Sequence, residues 1–159
     1  MAELSQQEDQ TLAVLPPSTN DRYNGPRAAA WFLTLMSIIT IVPGNIHTFL
    51  PDGGAGVIAG RDLSVNGDTI IRLFAWAGAT QIVWGIMLLL ISLRYRSFVP
   101  LALGLLVLER CIHTWTMWGP KGQADGYLPP EAYVTVVLVP LLLGFLFLSL
   151  RAPRESKAP

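Results

Sequence analysis

The chain is built from long apolar blocks separated by short polar ones. Inside the blocks, polar residues are too sparse to mark a continuous wet face. Four blocks stand out, at about 28–50, 69–93, 98–118 and 132–150. With a rise of ~1.5 Å per residue, helices of this length match a hydrocarbon core of ~30 Å. Backbone amides and carbonyls find no water at that depth, so the predicted form is the helix, which satisfies them internally. The pattern predicts an all-α integral membrane protein, a four-helix bundle running up-down-up-down.

Polar punctuation places the ends of the spans. Residues 1–27 are polar and acidic-leaning, with Pro16, Pro17 and Pro26. They lack the basic stretch and short apolar core of a cleavable signal, and read as a disordered cytoplasmic tail. Pro43 and Gly44 predict a kink near the end of the first span, and Pro51 with the run DGGAGVIAG ends it. Asp68 has the position and chemistry of an N-cap for the second span, and Arg72 lies one turn on, where it can snorkel or pair with Asp68. Arg94-Tyr95-Arg96 make a very short turn, and Pro100 restarts the chain in the first turn of the third span. Trp115, Trp118 and Gly119-Pro120 read as an aromatic belt at a membrane surface. The fourth span holds Pro140 and no charge, and is expected to face lipid more than the others. Residues 28–151 are thus one four-span domain, and 152–159 a short basic tail.

Lys and Arg are distributed unevenly. Arg22, Arg27, Arg94, Arg96, Arg151, Arg154 and Lys157 fall on one side of the predicted bundle, against Arg61 and Lys121 in the opposite loops. The positive-inside rule then predicts that both termini and the short turn are cytoplasmic, and that the 51–68 and 119–131 loops face outward.

Composition narrows the classes further. Hydrophobic residues make up 52% of the chain and charged residues 14%, with a net charge of +0. Nothing in that balance attracts nucleic acid. The one cysteine, Cys111, excludes an intramolecular disulfide and a multi-cysteine metal site. Its apolar surroundings in the sequence predict a buried, inert thiol.

The chemistry is concentrated in the third span, LALGLLVLERCIHTWTMW, which carries Glu109, Arg110 and His113 in its interior. Charges at such depth are expensive and usually face a bundle interior or a wet cavity. Glu109 and His113, four residues apart, share a helix face, while Arg110 points about 100° away. The tetrapeptide Ile46-His47-Thr48-Phe49 at the end of the first span is echoed by Ile112-His113-Thr114-Trp115 in the third. A duplicated helical hairpin would bring the two histidines to a similar depth; chance in a composition-limited sequence would not. Gln81, near mid-depth in the second span, needs a polar partner. The candidate ligand-binding set is therefore His47, Arg72, Gln81, Glu109, Arg110 and His113. Glu109 and His113 are the candidate acid–base pair. His47, Glu109 and His113 together offer the donor types of a zinc or non-haem iron site, and the two imidazoles those of a haem. No HExxH or comparable spacing supports a metal.

Two motif-like stretches fail in context. Asp62-x-Ser64-x-Asn66-Gly67 opens like a calcium loop, but its twelfth position is Leu73, inside a span, where a bidentate glutamate is required. Gly54-x-Gly56-x-x-Ala59 resembles a loose dinucleotide fingerprint, yet it follows a membrane helix where a strand is needed. Turn formation and a tight interfacial loop account for the two stretches.

Four spans, the Gly/Asp-rich loop LPDGGAGVIAGRDLSVNGD and the following LFAWAGATQIVWGIMLLL resemble the small DoxX-like bacterial membrane proteins over roughly residues 28–150. The resemblance rests on architecture and loop character. It implies a bacterial inner membrane and proximity to quinones or redox partners, and it transfers no site residue. Three functional readings follow. The first is a binding or accessory protein that holds a quinone, lipid or other lipophilic molecule, or assists a membrane redox complex. The second is a membrane-embedded enzyme using Glu109 and His113. The third is a small proton-coupled transporter. The lipid bilayer is the common partner; other membrane subunits or a second copy of the chain are the protein partners to expect.

Overall fold

The computed structural model of the chain describes residues 14–120 and 128–151. Among the described residues four α-helices make up the fold: α1 (Arg27–Phe49), α2 (Gly67–Arg94), α3 (Val99–Trp118) and α4 (Pro130–Ser149). All four are long and apolar enough to cross a membrane, and they run up-down-up-down. One end of the bundle carries the α1–α2 loop (the loop end), the other the α2–α3 turn (the turn end).

Several boundaries differ from the sequence reading, each for a local reason. Helix α1 continues through Pro43 without a break. Helix α2 begins at Gly67, with Asn66 in the left-handed conformation as the residue before it, so Asp68 lies in the first turn and is not the N-cap. A helix start still favours a carboxylate there, through the helix dipole. Asp68 and Arg72 form no ion pair. Helix α4 begins at Pro130, which brings Glu131 into its first turn. Helix α2 is the most lipid-exposed of the four, with 17% of its most apolar stretch buried against 28% for α4. Trp76 and Val83 point away from the bundle. Cys111 is exposed as well, contrary to the buried thiol expected. Both results follow from which helix face meets a neighbour, which apolarity alone cannot tell in a chain apolar all round.

The helices associate as two pairs, α1 with α2 and α3 with α4. Small residues bring α1 and α2 together. A Cβ on Gly78 would lie 2.7 Å from the Gly44 carbonyl oxygen, and one on Gly44 would lie 2.9 Å from that of Gly78. One heptad on, Gly85 lies against Ile41 and the Ser37 carbonyl. Helices in lipid lack a hydrophobic drive to associate, and close backbone approach supplies the dispersion contacts instead. Between the pairs, Phe32 of α1 stacks on Phe145 of α4 with ring centroids 3.8 Å apart. Trp118 donates from Nε1 to the Ala132 carbonyl at 3.1 Å and packs edge-to-face on Tyr133, tying α3 to α4 at the loop end.

The buried core lies in one half of the bundle. Leu33 and Met36 of α1, Leu88 of α2, Leu103 and Leu106 of α3 and Leu142 of α4 pack together towards the turn end. That end is also clasped from outside. Of the stretch expected to be a disordered tail, residues 1–13 lie outside the described residues, while 14–26 fold back over the turn. The Asn20 carboxamide donates to the Leu93 carbonyl at 2.7 Å and accepts from the Arg96 amide at 3.2 Å. Ser18 donates to the Arg94 carbonyl at 2.9 Å, and Tyr95 to the Pro16 carbonyl at 2.8 Å. The bonds to Leu93 and Arg94 satisfy carbonyls that end α2, groups that every helix C-terminus leaves unpaired.

Candidate functional site

Where the turn end is packed, the loop end is open. A crevice runs through it in two lobes that share His47, Phe74, Gln81, Arg110, Met117 and Glu131. The first lobe, about 390 Å³, lies between α1, the α1–α2 loop and α4, with apolar walls from Ile39, Ile46, Ile58, Val134 and Leu138. The second, about 500 Å³, opens sideways between α2 and α3 past Leu73, Glu109, Ile112 and His113. Both volumes fall within the ~300–1,000 Å³ range of small-molecule sites.

The loop wall is built around one carboxylate. Asp52 accepts from the Gly54 amide on Oδ1 at 2.8 Å, and on Oδ2 from Gly56 at 3.1 Å and Val57 at 2.9 Å. Wrapping the chain this tightly needs positive φ at Gly53 (61°) and Gly54 (73°), which glycine adopts without strain. The Val57 amide, followed by that of Gly54, holds the Asp52 carboxyl below its ordinary value. So arranged, the loop offers the Gly53 carbonyl to His47, whose Nδ1 donates to it at 2.7 Å. A carbonyl can only accept, so the proton sits on Nδ1, and in the neutral ring Nε2 keeps its lone pair. Phe74 closes on the same imidazole edge-to-face, at 5.1 Å between centroids. The next turn is equally self-contained: Asp62 accepts the Ser64 amide at 2.8 Å, the turn reading of the calcium-like stretch.

The charged groups converge from α3 and α4. Arg110 Nε lies 3.2 Å from Glu109 Oε2, and its Nη1 lies 3.9 Å from Glu131 Oε1. The Arg110 side chain is 15% exposed, whereas Glu109 and Glu131 are 46% and 47% exposed along the crevice. His113 Nδ1 lies 4.0 Å from Glu131 Oε1, too far for a hydrogen bond. Among the described residues, that nitrogen and the Gln81 Oε1 are buried without a hydrogen-bond partner.

The sequence-derived set is thus largely brought together. His47, Gln81, Glu109, Arg110 and His113 line one crevice, and Arg72 does not; it is exposed on α2. The pairing within the set differs from expectation. Glu109 turns to its sequence neighbour Arg110, whose long side chain bends back to it, and makes no bond to His113. The acid nearest His113 is Glu131, a residue the sequence reading leaves in a loop. Pro129-Pro130-Glu131 carries the signal that would have found it, since proline at the first helical position and an acid beside it mark a helix start. Among the described residues no three His, Cys, Asp or Glu side chains converge as a metal-binding group. His47, Glu109 and His113, the candidate metal ligands, line one cavity but do not converge as such a group.

Comparison with known proteins finds no match among family models, curated proteins or solved structures.

Proposed function

We propose that the chain is a membrane-embedded binding protein, which holds a lipophilic molecule by its polar head in the loop-end crevice, alone or as an accessory to a membrane redox complex. The observation that carries this reading is the pairing of a half-open apolar lobe with a second lobe that carries Glu109, Arg110 and His113 and opens sideways between α2 and α3. An amphiphile fits that division, with its chain against Ile39, Val134 and Leu138 and its head among Gln81, Arg110 and Glu131. Lateral opening suits a ligand that arrives from the bilayer. The resemblance to DoxX-like proteins favours a quinone or lipid as that ligand. The charge distribution supports an inner-membrane protein with the turn end in the cytoplasm and the crevice in the outward half. An acid–base enzyme built on Glu109 and His113 is less well supported, because Glu109 pairs with Arg110 and the two groups make no bond to each other.

The test is identification of what co-purifies. Protein extracted in mild detergent should retain a lipophilic species detectable by mass spectrometry. Val134→Trp, which adds bulk to the apolar lobe, should lose that species while keeping its helical circular dichroism. Identical co-purifying material from both proteins would refute the reading.

A further inference from the structure

We infer that the chain holds an anionic phospholipid at the turn end, apart from the crevice, with one acyl chain along a groove on α4 and the phosphate against Arg151 and Arg27. The groove, about 340 Å³, is lined by Pro140, Leu141, Gly144, Phe147, Leu148 and Arg151. Its floor is Gly144, where a Cβ would meet nothing within 4 Å. Packing inside the bundle therefore does not require a glycine here, although glycine weakens a helix by about 1 kcal/mol relative to alanine. The notch it leaves opens outwards. Phe145 completes the wall and is itself fixed, stacked on Phe32 of α1.

The length and polarity of the groove match one half of a bilayer. Arg151 lies eleven residues beyond Pro140, ~16 Å along a helix. That is about half of a ~30 Å hydrocarbon core. The groove thus runs from mid-membrane to the surface at the turn end, apolar over its depth and charged at its rim. An acyl chain below a head group has the same order.

Charge decides which lipid. Among the described residues the turn end carries Arg22, Arg27, Arg94, Arg96 and Arg151 against a single acid, Asp21. The ion pairs among those residues lie at the loop end. Arg94 donates to the Pro16 carbonyl and the Tyr95 hydroxyl, and Arg96 to the Ser92 carbonyl. These neutral acceptors leave both charges unbalanced. Arg27 and Arg151 are exposed, and the backbone brings their positions together. A Cβ on Gly25 would lie 2.6 Å from the Ser149 carbonyl oxygen, so the segment entering α1 abuts the end of α4, and each arginine is two residues from that contact. No side-chain cap closes the first turn of α1, and a helix start favours an anion. Guanidinium groups match phosphate oxygens in geometry and in charge. A zwitterionic head would bring its own cation to the same place and gain less.

The experiment uses two photoreactive phospholipids with identical chains, a diazirine midway along one of them, and either a phosphoglycerol or a phosphocholine head. Each is added at the same low mole fraction to phosphatidylcholine nanodiscs holding the full-length protein. Labelling of residues 140–148 is read by peptide mass spectrometry and normalised to that of Ile86 and Met87, exposed residues in the turn-end half of α2. The anionic probe should exceed the zwitterionic one by at least roughly fivefold, the ratio given by ~1 kcal/mol per arginine near a membrane surface. Arg151→Gln should cut that ratio to roughly half or less. Gly144→Leu fills the notch, where a Cβ meets nothing within 4 Å, and should do the same. Leu141→Trp fills the groove from another wall and takes its place if that variant does not fold. Equal labelling by the two probes overturns the inference, because the groove then holds lipid without selecting it. A preference that survives the loss of Arg151 or the filling of the groove overturns it as well, since it then belongs to the turn end at large. A groove labelled by neither probe, while Ile86 and Met87 are labelled, is covered by protein such as a second copy, and that too overturns it.

Discussion

Asp52 shows how much one residue organises at the loop end. Its carboxylate accepts three backbone amides, and the loop it holds presents Gly53 to His47. Because those bonds favour the ionised form, the folded carboxyl titrates below its ordinary value of 3.8. Its contribution to loop stability is therefore fully present above that value and is lost as the pH falls through the lower folded value. Asp52→Ala should remove the effect at every pH, since no side-chain oxygen is left to accept. The amides of Gly54, Gly56 and Val57 should then exchange with deuterium at least several-fold faster. Unchanged exchange at neutral pH would show that the glycines shape the loop without help. Glu109 teaches a different lesson at the same scale. Helical periodicity aligns it with His113, but a flexible guanidinium next door in sequence reaches it first. Backbone geometry says where a side chain starts and not where a long one ends.

At the scale of elements, α1 and α2 are held by close backbone approach, and the contact is unforgiving. A Cβ at Gly78 would meet the Gly44 carbonyl oxygen and the Thr48 Oγ1, both at 2.7 Å, with no flexible side-chain end to move aside from the carbonyl. Gly78→Val should therefore destabilise the fold by about 1–3 kcal/mol or more, as overpacking does elsewhere. The control is Gly104→Val on α3, where a Cβ meets nothing within 4 Å. Thermal unfolding in detergent should show a clear drop in midpoint for the first and little change for the second. Equal drops would mean that helix propensity is responsible and the crossing is not. The clasp by residues 14–22 belongs to this scale too. Its polar side chains cover the carbonyls ending α2, so a segment too polar to fold alone is ordered by the helix end it satisfies.

The whole molecule is asymmetric along its axis: packed leucines towards the turn end, a crevice with charged groups towards the loop end. Two helix pairs joined by a short turn and clasped there are free to diverge at the far end, and the α2–α3 opening lies where they do. The orientation proposed for this axis makes a direct prediction. In a Cys111→Ser background, cysteine introduced at Val65 in the α1–α2 loop should react with an impermeant thiol reagent added to intact cells, and cysteine at Ser97 in the turn should not. The opposite pattern would invert the molecule and put the crevice in the cytoplasmic half.

The four spans, their order and most of the crevice residues were legible in the sequence, because apolar length and the high cost of a buried charge are both local properties of the chain. His47, Gln81, Glu109, Arg110 and His113 stood out as polar groups in blocks that reject them, and the fold brings them to one cavity. Arg72 stood out for the same reason, yet α2 turns it outwards. The rest was decided by tertiary structure. Which face of an all-round apolar helix meets a neighbour depends on small residues such as Gly44 and Gly78 finding each other. The pairing of Arg110 with Glu131, and the approach of Glu131 to His113, depend on α3 and α4 lying side by side. The role of Asp52 depends on a loop closing over a helix end. Each is a contact between segments distant in sequence, set by shape and charge in three dimensions, and periodicity along the chain carries no record of it.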